Sequence, residues 1–307
     1  MGKSDNQESR ENPFSGLQLW KVVGMFALVL AAVQIAMGAV DSFMQFIMGA
    51  IRANENMRVF LGSTIAHAIM ITVMILIAIP VIRSALKRPG LNGLYPINDR
   101  KWIDLFVGMG LSAAAVLFVF ALEYALGFIS ITGFALSGSA PIVWLRSFWL
   151  VMLLQLSAAV CSEVLYRGLL LQGIEITWDA RGALFISAII FGGAQVISAS
   201  IDTTSWLKMV PLLALTGGML GWAFLRSGNL WLATGIHFAW SLLQYNLLNL
   251  VGAQHSSGIV GLLTYISGPK WFTGTSIGIE SGAAGIIGLV LVCGGIWLRT
   301  AHQKRAQ

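Results

Sequence analysis

Residues Ile142 to Leu165 read IVWLRSFWLVMLLQLSAAVCSEVL. An apolar run of about 20 residues carries a helix across about 30 Å of hydrocarbon, and this run is long enough to do so. Seven further stretches approach that length: Val22 to Val40, Val59 to Ile82, Leu105 to Leu122, Gly182 to Ser198, Trp206 to Leu225, Leu230 to Leu250 and Gly282 to Leu298. The composition of the 307-residue chain agrees, because 57% hydrophobic and 10% charged residues exclude a water-soluble enzyme. The expected fold is all-α, a polytopic integral membrane bundle of about eight transmembrane helices.

The basic residues orient that bundle. With the N-terminus taken as cytoplasmic, 14 of the 19 Lys and Arg residues fall in inner segments, and only Arg52, Arg58, Arg146, Lys208 and Lys270 fall outside. That asymmetry places both termini in the cytoplasm of a cell (plasma) membrane protein. A polar head, Met1 to Leu19, precedes the first run, and no small-residue cleavage pattern follows it, so the run reads as an anchor. The loop Arg83 to Lys101, with Pro89-Gly90, Asn92-Gly93 and Pro96, divides residues 1–101 (head, two helices and loop) from a six-helix core at 102–307. Asp41 to Arg52 is expected to be a helix on the outer surface, and Tyr124 to Pro141 an interfacial or re-entrant segment.

Partners and cofactors narrow on the same grounds. The net charge of +6 is too thinly spread for a nucleic-acid surface, so membrane lipids are the expected surroundings. Cys161 and Cys293 lie far apart in apolar runs and no His pair stands at i,i+4, so neither a disulfide framework nor a metal site is expected, and no cofactor.

Ionisable groups at membrane depth are costly, which makes the few present here functional candidates. In Ala159-Val160-Cys161-Ser162-Glu163-Val164-Leu165-Tyr166-Arg167-Gly168, Glu163 precedes Arg167 by one helical turn, the favourable order for an ion pair. Glu163 is placed near the cytoplasmic face, and Gly168 suggests that the helix loosens or turns soon after. Trp231 to Ser241 brings His237 about 10 Å inside the cytoplasmic boundary, with Ser241 one turn further on the same face. Phe191-Gly192-Gly193-Ala194-Gln195 sets Gln195 deeper, beside small residues that allow close helix approach. These three helices could enclose one polar pocket. The bland reading makes Glu163 and Arg167 a structural pair, His237 a bonded core residue, and Gln195 and Ser241 interhelical glue. His67 reads as packing, and His255 and His302 receive no role.

These three segments, in this order, resemble the CAAX prenyl endopeptidase and bacteriocin-processing (CPBP, or Abi) family of intramembrane proteins. Its motifs are Glu-Glu-x-x-x-Arg, Phe-x-x-x-His and His-x-x-x-Asn, and the resemblance covers about Ile142 to Gly282. It implies that the first Glu and the His of the second motif activate a water, while the His and Asn of the third stabilise the oxyanion. In this chain those places hold Ser162, Gln195, His237 and Ser241, with Glu163, Arg167 and His237 retained. A Ser hydroxyl and a Gln amide cannot serve as bases near neutral pH.

The expected function is therefore that of a degenerate glutamate-type protease site. It would bind a lipidated or transmembrane peptide, or a partner membrane protein, as a scaffold, chaperone or regulator. The alternative is an active endopeptidase or acyl transferase using Glu163 and His237, with Ser162 or Cys161 as the candidate nucleophile. A transporter ranks last, because the polar residues cluster on the cytoplasmic side.

Overall fold

The computed structural model describes residues 19–50, 71–72, 74–84, 94–97, 101–135, 141–198, 203–251 and 260–305. The polar head, His67, His255 and most of the expected span Val59 to Ile82 lie outside them, and of His302 only the backbone is described.

Helix α1 runs from Leu19 to Ala50 without interruption. The expected separate surface helix from Asp41 is, as far as Ala50, the continuation of α1. The isolated glycines Gly38 and Gly49 each cost a helix only about 1 kcal/mol, and no proline intervenes to end it. A π-helical turn, Met74–Ala78, leads into α2 (Ile79–Ser84), and α3 covers Ile103–Ala125. Helix α4 (Pro141–Glu163) continues through a π-helical segment, Val164–Leu171, into α5 (Gln172–Thr177). Then come α6 (Ala180–Ser198), α7 (Thr203–Ser227) and α8 (Trp231–Ser241), the last extended by a second π segment, Leu242–Leu247. The short α9 (Lys270–Thr273) and a 3-10 turn at Ile279–Ser281 precede α10 (Ala283–Arg305).

Among the described residues, five helices are long and apolar enough to cross a membrane: Ile103–Ala125, Pro141–Thr177, Ala180–Ile197, Leu207–Ser227 and Ala283–Ala301. Their outward faces carry exposed Leu153, Phe185 and Val290, as a lipid solvent requires. The chain is an all-α polytopic membrane protein.

Two stretches take a more specific form than expected. The span expected over Leu230 to Leu250 ends at Leu247, because Asn249 takes a φ of 52° and Leu250 N–H turns back to the carbonyl of Gln244. Asn is among the few residues that tolerate this left-handed region. The stretch Tyr124 to Pro141, expected to be interfacial or re-entrant, holds a strand and not a helix. Gly127, at φ 71°, turns the chain after α3 into strand β1 (Ile129–Phe134), which pairs antiparallel with β2 (Leu262–Ile266). Ile129 faces Ile266, and a bulge lies between Ile131 and Gly133.

Small residues set the helix crossings. A side chain at Gly235 would run into the carbonyl of Leu105, and one at Gly108 into the carbonyl of Leu232, so α3 and α8 touch backbone to backbone. A Cβ at Gly192 would stand 2.5 Å from the carbonyl of Val210, which puts α6 equally close to α7, whereas Gly193 faces open space. Close backbone approach of this kind is how helices associate where no hydrophobic drive separates protein from lipid. Helix α1 joins the same core: Val22, Phe26 and Val29 pack with Ile82, Val164 and Leu170, and the rings of Phe26 and Tyr166 lie 5.1 Å apart.

Candidate functional site

Glu163 is the last residue of α4, fully buried, and the helix does not stop or turn after Gly168. It widens instead. The N–H of Gln172 reaches the carbonyl of Arg167, five residues back, and the π winding spans Val164–Leu171 before α5 carries on to Thr177. Single π turns inside helices are often found at functional sites. Roughly 20 Å of helix separates Glu163 from Thr177, and its side chain is buried inside the bundle.

The expected pair is present, with Arg167 Nη1 donating to Glu163 Oε1 at 3.1 Å. The other guanidinium nitrogen, Nη2, donates to the carbonyl of Gly217 on α7 at 2.9 Å. The guanidinium also stands 4.9 Å over the ring of Phe191 from α6, a cation–π contact. A Cβ on Gly217 would stand 3.0 Å from Phe191 Cβ and 3.1 Å from the Ala188 carbonyl, so the glycine lets α7 approach α6 closely. One buried arginine thereby ties α4, α6 and α7 together.

His237 completes the cluster. Its Nδ1 lies 2.7 Å from the same Glu163 Oε1, and its ring packs edge-on to Phe191 at 6.4 Å. A carboxylate only accepts hydrogen bonds, so Nδ1 carries the proton and Nε2 is left for another partner. The histidine side chain is 19% exposed, against none for Glu163, so His237 is the accessible member of the site. Glu163 Oε2 is buried with no hydrogen-bond partner among the described residues.

Of the six residues singled out from the sequence, the structure brings Glu163, Arg167 and His237 together. Ser162, Gln195 and Ser241 are half-buried, and among the described residues their side chains make no hydrogen bond to that cluster. Cys161 is fully buried in the apolar core. No group of His, Cys, Asp and Glu able to hold a metal ion occurs among the described residues.

Several polar residues escaped the sequence reading. Asp104 accepts from Arg299 at 2.9 Å and from Asn229 at 3.4 Å, a clasp between the start of α3, the turn before α8 and the last turns of α10. Glu123 is fully buried with both carboxylate oxygens unpartnered among the described residues. Each stands one residue beyond the expected span Leu105 to Leu122, so the placement of that boundary hid them. Glu280 accepts from Trp240 Nε1 and from the Tyr245 hydroxyl, both at 3.4 Å, while Gln244 Oε1 accepts from Ile279 N–H at 3.1 Å. Burial pushes the Glu280 carboxyl above its ordinary range, and the bonds from Trp240 and Tyr245 oppose it. These bonds strap the turn before α10 to the C-terminal end of the helix that carries His237. Trp240→Phe, which removes the ring N–H and part of a buried ring, is expected to lower stability by about 1–3 kcal/mol, read as a lower unfolding midpoint in detergent.

Comparison with known proteins gives one positive finding. Residues 142–243 match the family model described as type II CAAX prenyl endopeptidase Rce1-like. No curated protein and no solved structure matches the chain. Residues 142–243, which hold Glu163, Arg167, Phe191 and His237, are thus similar to the type II CAAX prenyl endopeptidase Rce1-like family.

Proposed function

We propose that the chain is an Rce1-like membrane protein with a degenerate protease site, which binds a membrane-embedded or lipidated peptide segment, or a partner helix, around His237. It works as a scaffold or regulator in the plasma membrane, with both termini cytoplasmic. The observation that carries this reading is the allocation of the one carboxylate in the site. Glu163 Oε1 is taken up by both Arg167 and His237, and the motif positions from which a water would be activated hold Ser162 and Gln195. Both contacts fall on Oε1 and commit the carboxylate to holding Arg167 and His237, while the partly exposed imidazole remains able to bond a peptide carbonyl.

A second reading rests on the 2.7 Å contact between Glu163 and Nδ1. A carboxylate that fixes the Nδ1–H tautomer leaves Nε2 with a lone pair, which is the arrangement of a histidine base. Such a dyad could activate water or a serine hydroxyl.

The protein in lipid nanodiscs, mixed with farnesylated and unfarnesylated peptides, separates the two. Binding is expected for the wild type, retained within severalfold in Glu163→Gln and His237→Ala, with no cleavage or acyl transfer seen by mass spectrometry. Turnover by the wild type that disappears in both variants, while they remain folded, would overturn the scaffold reading in favour of the dyad.

A further inference from the structure

Helices α7 and α10 finish at the same end of the bundle, and the two arginines there are held differently. Arg299 on α10 has a counter-ion: Oδ1 of the buried Asp104 accepts from its Nε at 3.1 Å and from its Nη2 at 2.9 Å. Arg226, in the last turn of α7, is half-buried and is paired with no carboxylate among the described residues. Its Nε donates to the hydroxyl of Thr300 on α10 at 3.0 Å, and its guanidinium stands 5.8 Å from the centre of the Trp222 ring, one turn back on its own helix. Thr300 is itself buried and donates to the carbonyl of Ile296 at 2.9 Å, which fixes the hydroxyl that Arg226 meets.

A cation gains from the last turn of a helix, where the dipole is negative, but that attraction alone would leave a long side chain free in water. Arg226 is held at Nε and over an aromatic face, and its Nη1 and Nη2 donate to nothing among the described residues. Those two nitrogens form the planar edge that clamps two oxygens of a phosphate at once. The depth of the arginine says where such a phosphate comes from. Arg226 and Thr300 are each the last residue but one of the apolar spans Leu207–Ser227 and Ala283–Ala301, so the guanidinium lies where hydrocarbon gives way to headgroups. One turn before Thr300, Trp297 is 56% exposed, and Leu298 beside it is exposed as well. A Cβ on Gly294, one turn before Leu298 and one turn after the exposed Val290, would meet no atom within 4 Å. The outward face of α10 thus carries a notch one side chain deep, with room for an acyl chain. Basic pockets between spanning helices are where lipid headgroups bind.

We propose that Arg226, positioned by Thr300 and Trp222, is a binding site for the phosphate of an anionic phospholipid, whose acyl chain lies along Trp297, Leu298 and the notch at Gly294. The phosphate gives Arg226 the counter-charge that Asp104 gives Arg299. An anionic lipid is preferred over a zwitterionic one because its headgroup brings no cation of its own to compete for the phosphate. The bound lipid joins the ends of α7 and α10, whatever the pocket at His237 holds.

The test uses the full chain in detergent with phosphatidylglycerol and phosphatidylcholine at equal concentration. Two readouts are taken: the lipids retained, by native mass spectrometry, and the unfolding midpoint with each lipid alone. The wild type is expected to retain phosphatidylglycerol about fivefold over phosphatidylcholine and to unfold at a higher temperature with it. Arg226→Gln should lower that preference by about threefold or more and remove the gain in midpoint, while its midpoint in phosphatidylcholine controls for folding. Arg226→Lys, which keeps the charge and loses the planar edge, should fall between the two. Gly294→Phe fills the notch where no protein atom stands, so it folds whatever Arg226 does, and should lower retention of phosphatidylglycerol by about twofold. Lys208→Gln, at an exposed position at the other end of α7, should leave the preference unchanged. Wild-type retention in both Arg226→Gln and Gly294→Phe would overturn the site, and so would an equal loss in Lys208→Gln, which would mean attraction by net charge alone. Glycerol phosphate in solution, at the same phosphate concentration, is expected to leave the midpoint where it was. A rise as large as that with the lipid, and lost in Arg226→Gln, would overturn the lipid in favour of a soluble phosphate.

Discussion

Replacing Arg167 by methionine is expected to destabilise the protein by about 3–5 kcal/mol, the cost of leaving a buried charge without its partner. Glu163 would keep only the bond from His237, with Oε2 already unpartnered, and the Gly217 carbonyl would lose its donor. Methionine preserves much of the apolar stem, so the loss reports the charge and its hydrogen bonds more than the packing. The double variant Glu163→Gln, Arg167→Met removes both charges and should recover most of the loss, because desolvation of the pair offsets much of its attraction. Unfolding by detergent titration, with wild type, both single variants and the double in one cycle, measures this. A single variant as stable as the wild type would mean that the pair does not hold α4, α6 and α7 together.

The second large effect is expected from Gly235→Val. The new side chain would be driven into the Leu105 carbonyl, which is backbone and cannot swing aside, so α3 and α8 must separate. A loss of about 3 kcal/mol or more follows, at the severe end of overpacking. His237 lies two residues along the same helix, so the bond to Glu163 should go with it, and His237 should become more reactive toward diethyl pyrocarbonate. Gly110→Ala is the matched control. No atom stands within 4 Å of its added carbon, and a helical Ala is favoured over Gly, so stability should stay or rise slightly. Comparable losses at both positions would sink the backbone-contact argument.

The candidate site was legible to the extent that it is local. Glu163 and Arg167 pair because four residues make one turn, a relation that helical geometry dictates without knowledge of any neighbour. His237 was picked out by type and position within an apolar run, whereas Phe191 was quoted only in the segment that leads to Gln195. That His237 shares a carboxylate oxygen with Arg167, while Ser162, Gln195 and Ser241 stay apart from the cluster, depends on how three helices are rotated about their axes, and spacing within each helix leaves that rotation free. Glu123 and Asp104 were missed for a different reason. Hydropathy places span ends only to within a few residues, and both acids sit at an end.

Length, apolar runs and basic asymmetry determined from the sequence alone that this is a helical membrane protein, since each helix satisfies its own backbone hydrogen bonds wherever its neighbours lie. Only the tertiary structure decided that the helix of Glu163 widens into a π turn and does not end at Gly168, that β1 pairs with a strand more than a hundred residues away, and that Tyr95 reaches Thr234. The strand pairing and the Tyr95 contact rest on partners distant in the chain, and the π turn, whose own bonds are local, is packed against α1 and α6, so packing of the whole bundle and not local preference chooses them.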